Sequence, residues 1–506
     1  MIKKITVVLL HVLFTQITFA QAPAIQWQKT LGGTSSDDAN SVQQTSDGGY
    51  IVAGYSYSTD VDVTGNHGGR DYWIVKLNSN GVIEWQKSLG GSSDDHANFI
   101  QQTSEGGYIV VGYSSSNDGD VIGNHGGSDY WIVKLDSNGD IQWQKSLGGS
   151  LGDFASSIQQ TSDGGYVVAG FSLSNDGDVT GNNIGDYWLV KLTNSGNIQW
   201  QKTLGASIGS AIQSIRQTSD GGYIVTGTST YNAVGNHGAS DYWIAKLDNN
   251  GSIQWQKYFG GSGYDLVHSV QQTSDGGYIM VGNSASVDGD VTGNHGFYDA
   301  WIVKLNSAGV IQWQKSIGGS AYDNAFSIQQ TSDGGYILEG YSVSNDGDVI
   351  GNHGAADAWV VKISSNGIVQ WHKSLGGNNS DYGQSIQQTS DGGYILAGFS
   401  NSTNGDVANG THGNNDYWIV KLSPDNLSTN EASNKNSITV ENPIKDKLNI
   451  QSKEKITSLQ LFSLEGKLIR TSNCQDMPVA EIEKGIYILK IQLKNGNTIS
   501  KKLIKE

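Results

Sequence analysis

One pattern governs what this chain can become. "DGGY", or its variant "EGGY", recurs seven times, closing at Tyr50, Tyr108, Tyr166, Tyr223, Tyr278, Tyr336 and Tyr394. Seven tryptophans stand in "QWQK"-like strings at Trp27, Trp85, Trp143, Trp200, Trp255, Trp313 and Trp371, at intervals of 58, 58, 57, 55, 58 and 58 residues. Seven more stand in "DYWIVKL"-like strings at Trp73, Trp131, Trp188, Trp243, Trp301, Trp359 and Trp418, which exhausts all 14. A period this long and this regular means units that must cover one another's apolar faces.

Each unit reads as four short strands. In the second unit they are a ("ANFIQQT"), b ("GYIVVGYSS"), c ("DYWIVKLD") and d ("IQWQKSLGG"). Val, Ile, Tyr and Trp dominate, and residues alternate between faces: Trp131, Val133 and Leu135 on one, Tyr130, Ile132 and Lys134 on the other. The links "SEGG" and "DSNG" are Gly-rich hairpin turns. No window shows a helical period. Seven such units predict an all-β, seven-bladed β-propeller of four-stranded blades over residues 21–422. The array opens on a lone strand d, "AIQWQKTLGG", and its last unit stops after strand c. The N-terminal strand is therefore expected to complete the last blade and close the ring, removing free sheet edges.

Charge divides the chain. Residues 21–434 hold 16 basic and 40 acidic side chains, a net of −24, whereas residues 435–506 hold 13 and 8, a net of +5. An acidic main body argues against nucleic-acid binding. The first 20 residues, "MIKKITVVLLHVLFTQITFA", read as a signal peptide with cleavage near Ala20, and no later stretch is apolar enough to span a bilayer. The single cysteine, Cys474, leaves no internal disulfide to expect. Residues 423–436 read as a polar linker, and residues 437–506 as short alternating strands of a small β-sandwich.

Propeller geometry places the b–c and d–a links on one face, where the long loops lie. "NDGDVIGNHGGSDYW", residues 117–131, typifies them. Its Asp and Asn suit turns closed on their own backbone, and its glycines suit positive φ. Alternating hard oxygens also suit calcium at Asp118/Asp120, Asp176/Asp178, Asp288/Asp290 and Asp346/Asp348, although no bidentate glutamate follows. Calcium is the one cofactor this chemistry suggests. His67, His125, His237, His295, His353 and His412 come from different blades, too far apart to share an ion, and the third unit lacks the residue. Breaks in the repeat are more telling. Arg216 replaces a strand-a glutamine near the expected channel, Arg70 a small residue before strand c, and Glu339 interrupts strand b. Phe154, Tyr264, Tyr322 and Tyr382 in d–a loops, with Phe297 and Tyr298 in a b–c loop, are the candidate ligand-binding aromatics. No catalytic residues are assigned, since equivalent repeat positions do not converge unlike groups on one point.

The consensus of the units, "LGGS…SIQQTSDGGYIVAGYS…DYWIVKLDSNG", resembles the bacterial SBBP-type β-propeller repeat of secreted and surface proteins, from residue 25 to 422. The tail strings "KLNI", "LFSLEGKLI", "GIYIL" and "KKLIK", with Asn442–Pro443, resemble the C-terminal sorting domain of the type IX secretion system of Bacteroidota. That resemblance implies export, handling by the type IX machinery, and release or surface anchoring. The expected function is a secreted or cell-surface scaffold that binds an extracellular glycan or protein through its loop-rich face. The alternative is a propeller enzyme, a polysaccharide lyase or hydrolase, with one site at the channel mouth.

Overall fold

The computed structural model describes residues 21–181, 185–205, 212–230, 233–408, 410–425, 439–440, 444–452, 455–463, 467–472, 476–494 and 498–505. The signal-peptide reading of residues 1–20 and most of the linker reading lie outside them. The chain divides into a unit spanning Pro23–Pro424 and one holding Asp425–Glu506. Every regular element described is a strand, and none of the described residues forms a helix able to cross a membrane.

The first unit contains seven four-stranded antiparallel sheets. After β1 (Ile25–Leu31), the first blade consists of β2 (Asp37–Gln44), β3 (Tyr50–Ser56), β4 (Asp71–Leu77) and β5 (Ile83–Leu89), paired in that order. Five blades repeat it. The last joins Asp381–Gln388, Tyr394–Ser400 and Asp416–Leu422 to β1, with Lys29 opposite Ile419 and Leu31 opposite Tyr417. The Trp418 indole N–H donates to Gln28 Oε1 at 2.7 Å across this seam. The N-terminal strand closes the ring, as the sequence predicts.

The alternation in strand c has a specific consequence. Trp73, Val75 and Leu77 pack with Ile395, Tyr417 and Ile419 of the preceding blade. Tyr72 and Ile74 pack with Ile100, Val110 and Trp131 of the following one. Both faces are covered, so all seven residues of β4 are buried. Each large apolar side chain hidden this way contributes roughly 1.5–3 kcal/mol.

The turn motifs are fastened by the same chain of contacts. Lys76, buried at the end of β4, bonds Asp47 of the "DGGY" turn at 2.9 Å and Glu84 at 2.8 Å. The equivalent lysine bonds the turn acid in every blade: Lys134–Glu105, Lys191–Asp163, Lys246–Asp220, Lys304–Asp275, Lys362–Asp333 and Lys421–Asp391. Gly81 of the c–d turn has φ +73°, and a Cβ there would meet the Trp27 ring of the neighbouring blade at 2.8 Å. Only glycine meets both demands.

In the second unit, a sheet of Thr439–Val440, Lys447–Gln451 and Asp476–Pro478 and a sheet of Leu468–Ser472, Ile456–Ser463, Gly485–Leu493 and Thr498–Lys505 share one core. Leu448 and Met477 meet Leu459, Leu461, Leu489 and Leu503 there, a small two-sheet arrangement of the kind expected.

Candidate functional site

The loop aspartates act first on the backbone. Asp118 Oδ1 accepts the Ser92 N–H at 2.7 Å, and Asp120 Oδ2 accepts the Gly90 N–H at 3.2 Å, tying the b–c loop to the d–a link that enters the same blade. Asp176, Asp288 and Asp346 repeat the first bond to Ser150, Ser262 and Ser320 at 2.7 Å. Asp178, Asp290 and Asp348 repeat the second to Gly148, Gly260 and Gly318 at 3.3–3.4 Å. Between them Gly119 takes φ +61°, and a side chain there would strike the Gly90 carbonyl. Among the described residues, no three His, Cys, Asp or Glu are grouped to hold a metal ion.

The histidines have an anchoring role that spacing alone did not reveal. His125 Nδ1 lies 2.6 Å from Asp129 Oδ2, and its backbone N–H donates to the same oxygen at 3.0 Å. His67–Asp71, His237–Asp241, His295–Asp299, His353–Asp357 and His412–Asp416 repeat the pair at 2.6–2.8 Å. Burial pushes Asp71 and Asp299 up to about 6, against the hydrogen bonds from their histidines. Burial opposes protonation of His67 and His125, but the bond to the aspartate and its charge outweigh it and raise both. Each of these aspartates also faces the aspartate that opens the next blade. A Cβ on Gly90 would contact both Asp71 and Asp95, and one on Gly32 both Asp416 and Asp37. The Oδ1 atoms of Asp37, Asp71, Asp95 and Asp416 are buried and have no hydrogen-bond partner.

The candidate aromatics separate into two groups. Tyr264, Phe297 and Tyr322 are exposed by 56%, 65% and 45%, and Tyr298 is half-buried beside them. Phe297 and Tyr322 stack at 5.3 Å with 6° between their planes, and Tyr298 stacks on Tyr322 at 5.7 Å and 23°. Phe297 and Tyr298 of the fifth blade's b–c loop meet Tyr322 of the link entering the sixth blade, so these three form one patch at one junction, whereas Tyr264 stands beside Ser240 at the preceding junction. Phe154 and Tyr382 do not belong to it, and they are not loop residues. Each is the second residue of a strand a, at Asp153–Gln160 and Asp381–Gln388. Phe154 packs on Phe171 and Tyr113, and Tyr382 on Tyr341 and Phe399. An aromatic at the sixth position of strand b draws them into the sheet.

The inner strands carry two belts around the channel that sequence reading missed. The second glutamine of each "QQT", or the Gln217 that follows Arg216, accepts the N–H of a turn serine in the preceding blade. The seven links are Ser46–Gln102, Ser104–Gln160, Ser162–Gln217, Ser219–Gln272, Ser274–Gln330, Ser332–Gln388 and Ser390–Gln44, each 2.8 Å. The first glutamine accepts the N–H of the second glutamine of the next blade, as in Gln102 N–H to Gln43 at 2.6 Å and Gln44 N–H to Gln387 at 2.7 Å. The recurrence of "Q-Q-T" in six units and "R-Q-T" in the fourth was the available signal. Arg216 occupies one position of this second belt. Arg70 sits among Tyr55, Tyr57 and Tyr113 at 5.3–5.9 Å and pairs with Asp94 at 3.3 Å. Glu339 does not interrupt its strand, which runs unbroken over Tyr336–Ser342 with the carboxyl buried.

Solved structures similar in fold include the quinohemoprotein alcohol dehydrogenase of Comamonas testosteroni (10% identity, 83% of this chain and 79% of that one, TM-score 0.42). Another is BBS1N in complex with ARL6DN (9%, 81% and 99%, 0.43), and a third is YCF48 bound to D1 peptide (9%, 80% and 100%, 0.38). A search of curated proteins finds no match. Residues 442–506 match the family described as "Secretion system C-terminal sorting domain", so this β-propeller protein carries a type IX sorting tail and is an exported protein of the outer surface or the medium.

Proposed function

We propose that the propeller is a binding module, not an enzyme, and that it takes an extracellular glycan on the aromatic patch of Phe297, Tyr298 and Tyr322. The observation that carries this reading is the exposed, nearly parallel stack of Phe297 and Tyr322. Two rings held out of the sheet, against water, are costly to leave bare, and contiguous exposed apolar surface marks an interaction site. The C–H face of a sugar ring is apolar with a positive edge, and it complements the negative face of an aromatic ring. The surrounding loops offer Asn, Ser and backbone groups for sugar hydroxyls. No other junction carries this set, since the equivalent pairs before strand c are Gly69–Arg70, Gly127–Ser128, Ile184–Gly185, Ala239–Ser240, Ala355–Ala356 and Asn414–Asn415.

The test is a glycan array probed with the full exported protein, followed by titration of the hits. Phe297→Ser and Tyr322→Ser are expected to abolish the signal while leaving the melting temperature within about 2 °C of the parent, as exposed substitutions do. Binding that survives both substitutions would move the site elsewhere.

A further inference from the structure

We propose that Arg216 is a carboxylate-binding site inside the central channel. The repeat places glutamine at this position in the other six blades: Gln43, Gln101, Gln159, Gln271, Gln329 and Gln387. Glutamine there supplies the acceptor for the next blade's N–H. Arginine has no acceptor, so the link from Gln272 N–H cannot form. Two residues earlier on the same strand face, Ser214 Oγ is buried without a hydrogen-bond partner. The Gln272 N–H and the Ser214 hydroxyl thus both lack the belt partners of the other blades at this point of the channel wall.

The guanidinium is held in place, but only by part of its donor set. Nη1 donates to Ser157 Oγ at 3.0 Å and to the Ile215 carbonyl at 2.7 Å. Its carbon lies 5.0 Å from the centre of the Phe99 ring, which is itself a departure from the serine of the other blades. The N–H groups of Nε and Nη2 find no protein acceptor among the described residues. That edge is the planar fork that binds a carboxylate through two parallel bonds.

Two channel cavities, of about 230 and 200 Å³, meet at Arg216 and Phe99. Their walls are Ser, Asn, Gln and apolar groups, with no Asp or Glu among them. Burial lowers Arg216 to about 10, so it stays a cation at neutral pH. Burial likewise brings His268, which also lines the channel, down to about 4, so it adds no second charge. No carboxylate of the described channel wall pairs with this cation, and a monoanion entering the channel would do so. The cavity size suits one sugar ring bearing a carboxylate, or a smaller carboxylate, rather than a polymer.

Isothermal titration of the full chain with sodium glucuronate, sodium acetate and glucose at constant ionic strength tests this. Both carboxylates should bind saturably and glucose should not. Arg216→Gln restores the repeat's own residue and should weaken carboxylate binding at least about tenfold without lowering the melting temperature. Arg216→Lys keeps the charge, loses the fork, and should fall between. No carboxylate binding by the parent, or equal binding by Arg216→Gln, would overturn the proposal and leave the arginine as a plug across the channel.

Discussion

The carboxyl of Glu339 fills the space that a side chain at Gly383 would need: a Cβ built on Gly383 would overlap it. In other blades the position of Glu339 holds Ala53, Val111, Ala169, Thr226, Val281 or Ala397, and the position of Gly383 holds Ala39, Ala97, Ala155, Ile212, Val267 or Ala325. One large intrusion is matched by one deletion across the blade interface. Both Glu339 oxygens are buried without a partner, and burial holds its pKa well above the usual carboxylate range, so it is carried neutral.

Gly383→Ala should therefore destabilise the propeller by about 1–3 kcal/mol, the cost of overpacking. In a Glu339→Ala background the same substitution should be neutral or stabilising. The double variant should melt above the parent, because an unsatisfied buried carboxyl is gone. Calorimetric melting of the four proteins measures the coupling, and additivity would refute it.

His372 replaces the glutamine that accepts the indole N–H of strand c elsewhere, as Gln86 does for Trp73 at 2.8 Å. The Trp359 indole N–H has no acceptor. His372→Gln should stabilise the fold by about 0.5–1.5 kcal/mol, the worth of one net hydrogen bond, read as a shift in the urea midpoint.

Removing residues 24–33 should expose the strand Asp416–Leu422 as a free edge. Lower thermal stability and higher-order species in size-exclusion chromatography are expected. A monomeric variant that melts like the parent would show that the β1 pairing is dispensable.

The pH dependence has a definite sign. Burial raises Asp37, Asp71 and Asp299 from 3.8 to about 6, so the folded state holds protons that the unfolded state has lost. Stability falls as pH rises from about 4 to about 6. Burial acts upward on Asp47, Asp163 and Asp275 too, but hydrogen bonds and the buried lysines outweigh it and hold them at about 2. Their contribution is lost as pH falls from about 4 towards 2. The melting temperature should peak near pH 4 and be a few degrees lower at pH 7. A curve rising to neutrality would contradict the carboxyl assignments.

Much of this was legible in the amino acids. The period, the turn glycines and the alternation in strand c are local, and local geometry follows from side-chain shape and backbone freedom. They predict four strands per unit, seven units and an N-terminal strand left over to close the ring. The tail strings point to the sorting domain by family resemblance, whereas their alternation by itself predicts only a small β-sandwich. What spacing did not carry are contacts between residues far apart in the chain. Phe154 and Tyr382 looked like loop aromatics until strand a was seen to begin at the preceding aspartate, with Phe171 and Phe399 beside them. The loop histidines were legible only as residues too far apart to share an ion, until each was found against a buried aspartate. Arg216 and Phe99, and Glu339 and Gly383, are single departures from the repeat that acquire meaning only as pairs. Ring closure brings one blade's exception against another's, and the dense packing of the blade interfaces makes each large residue require a small one opposite.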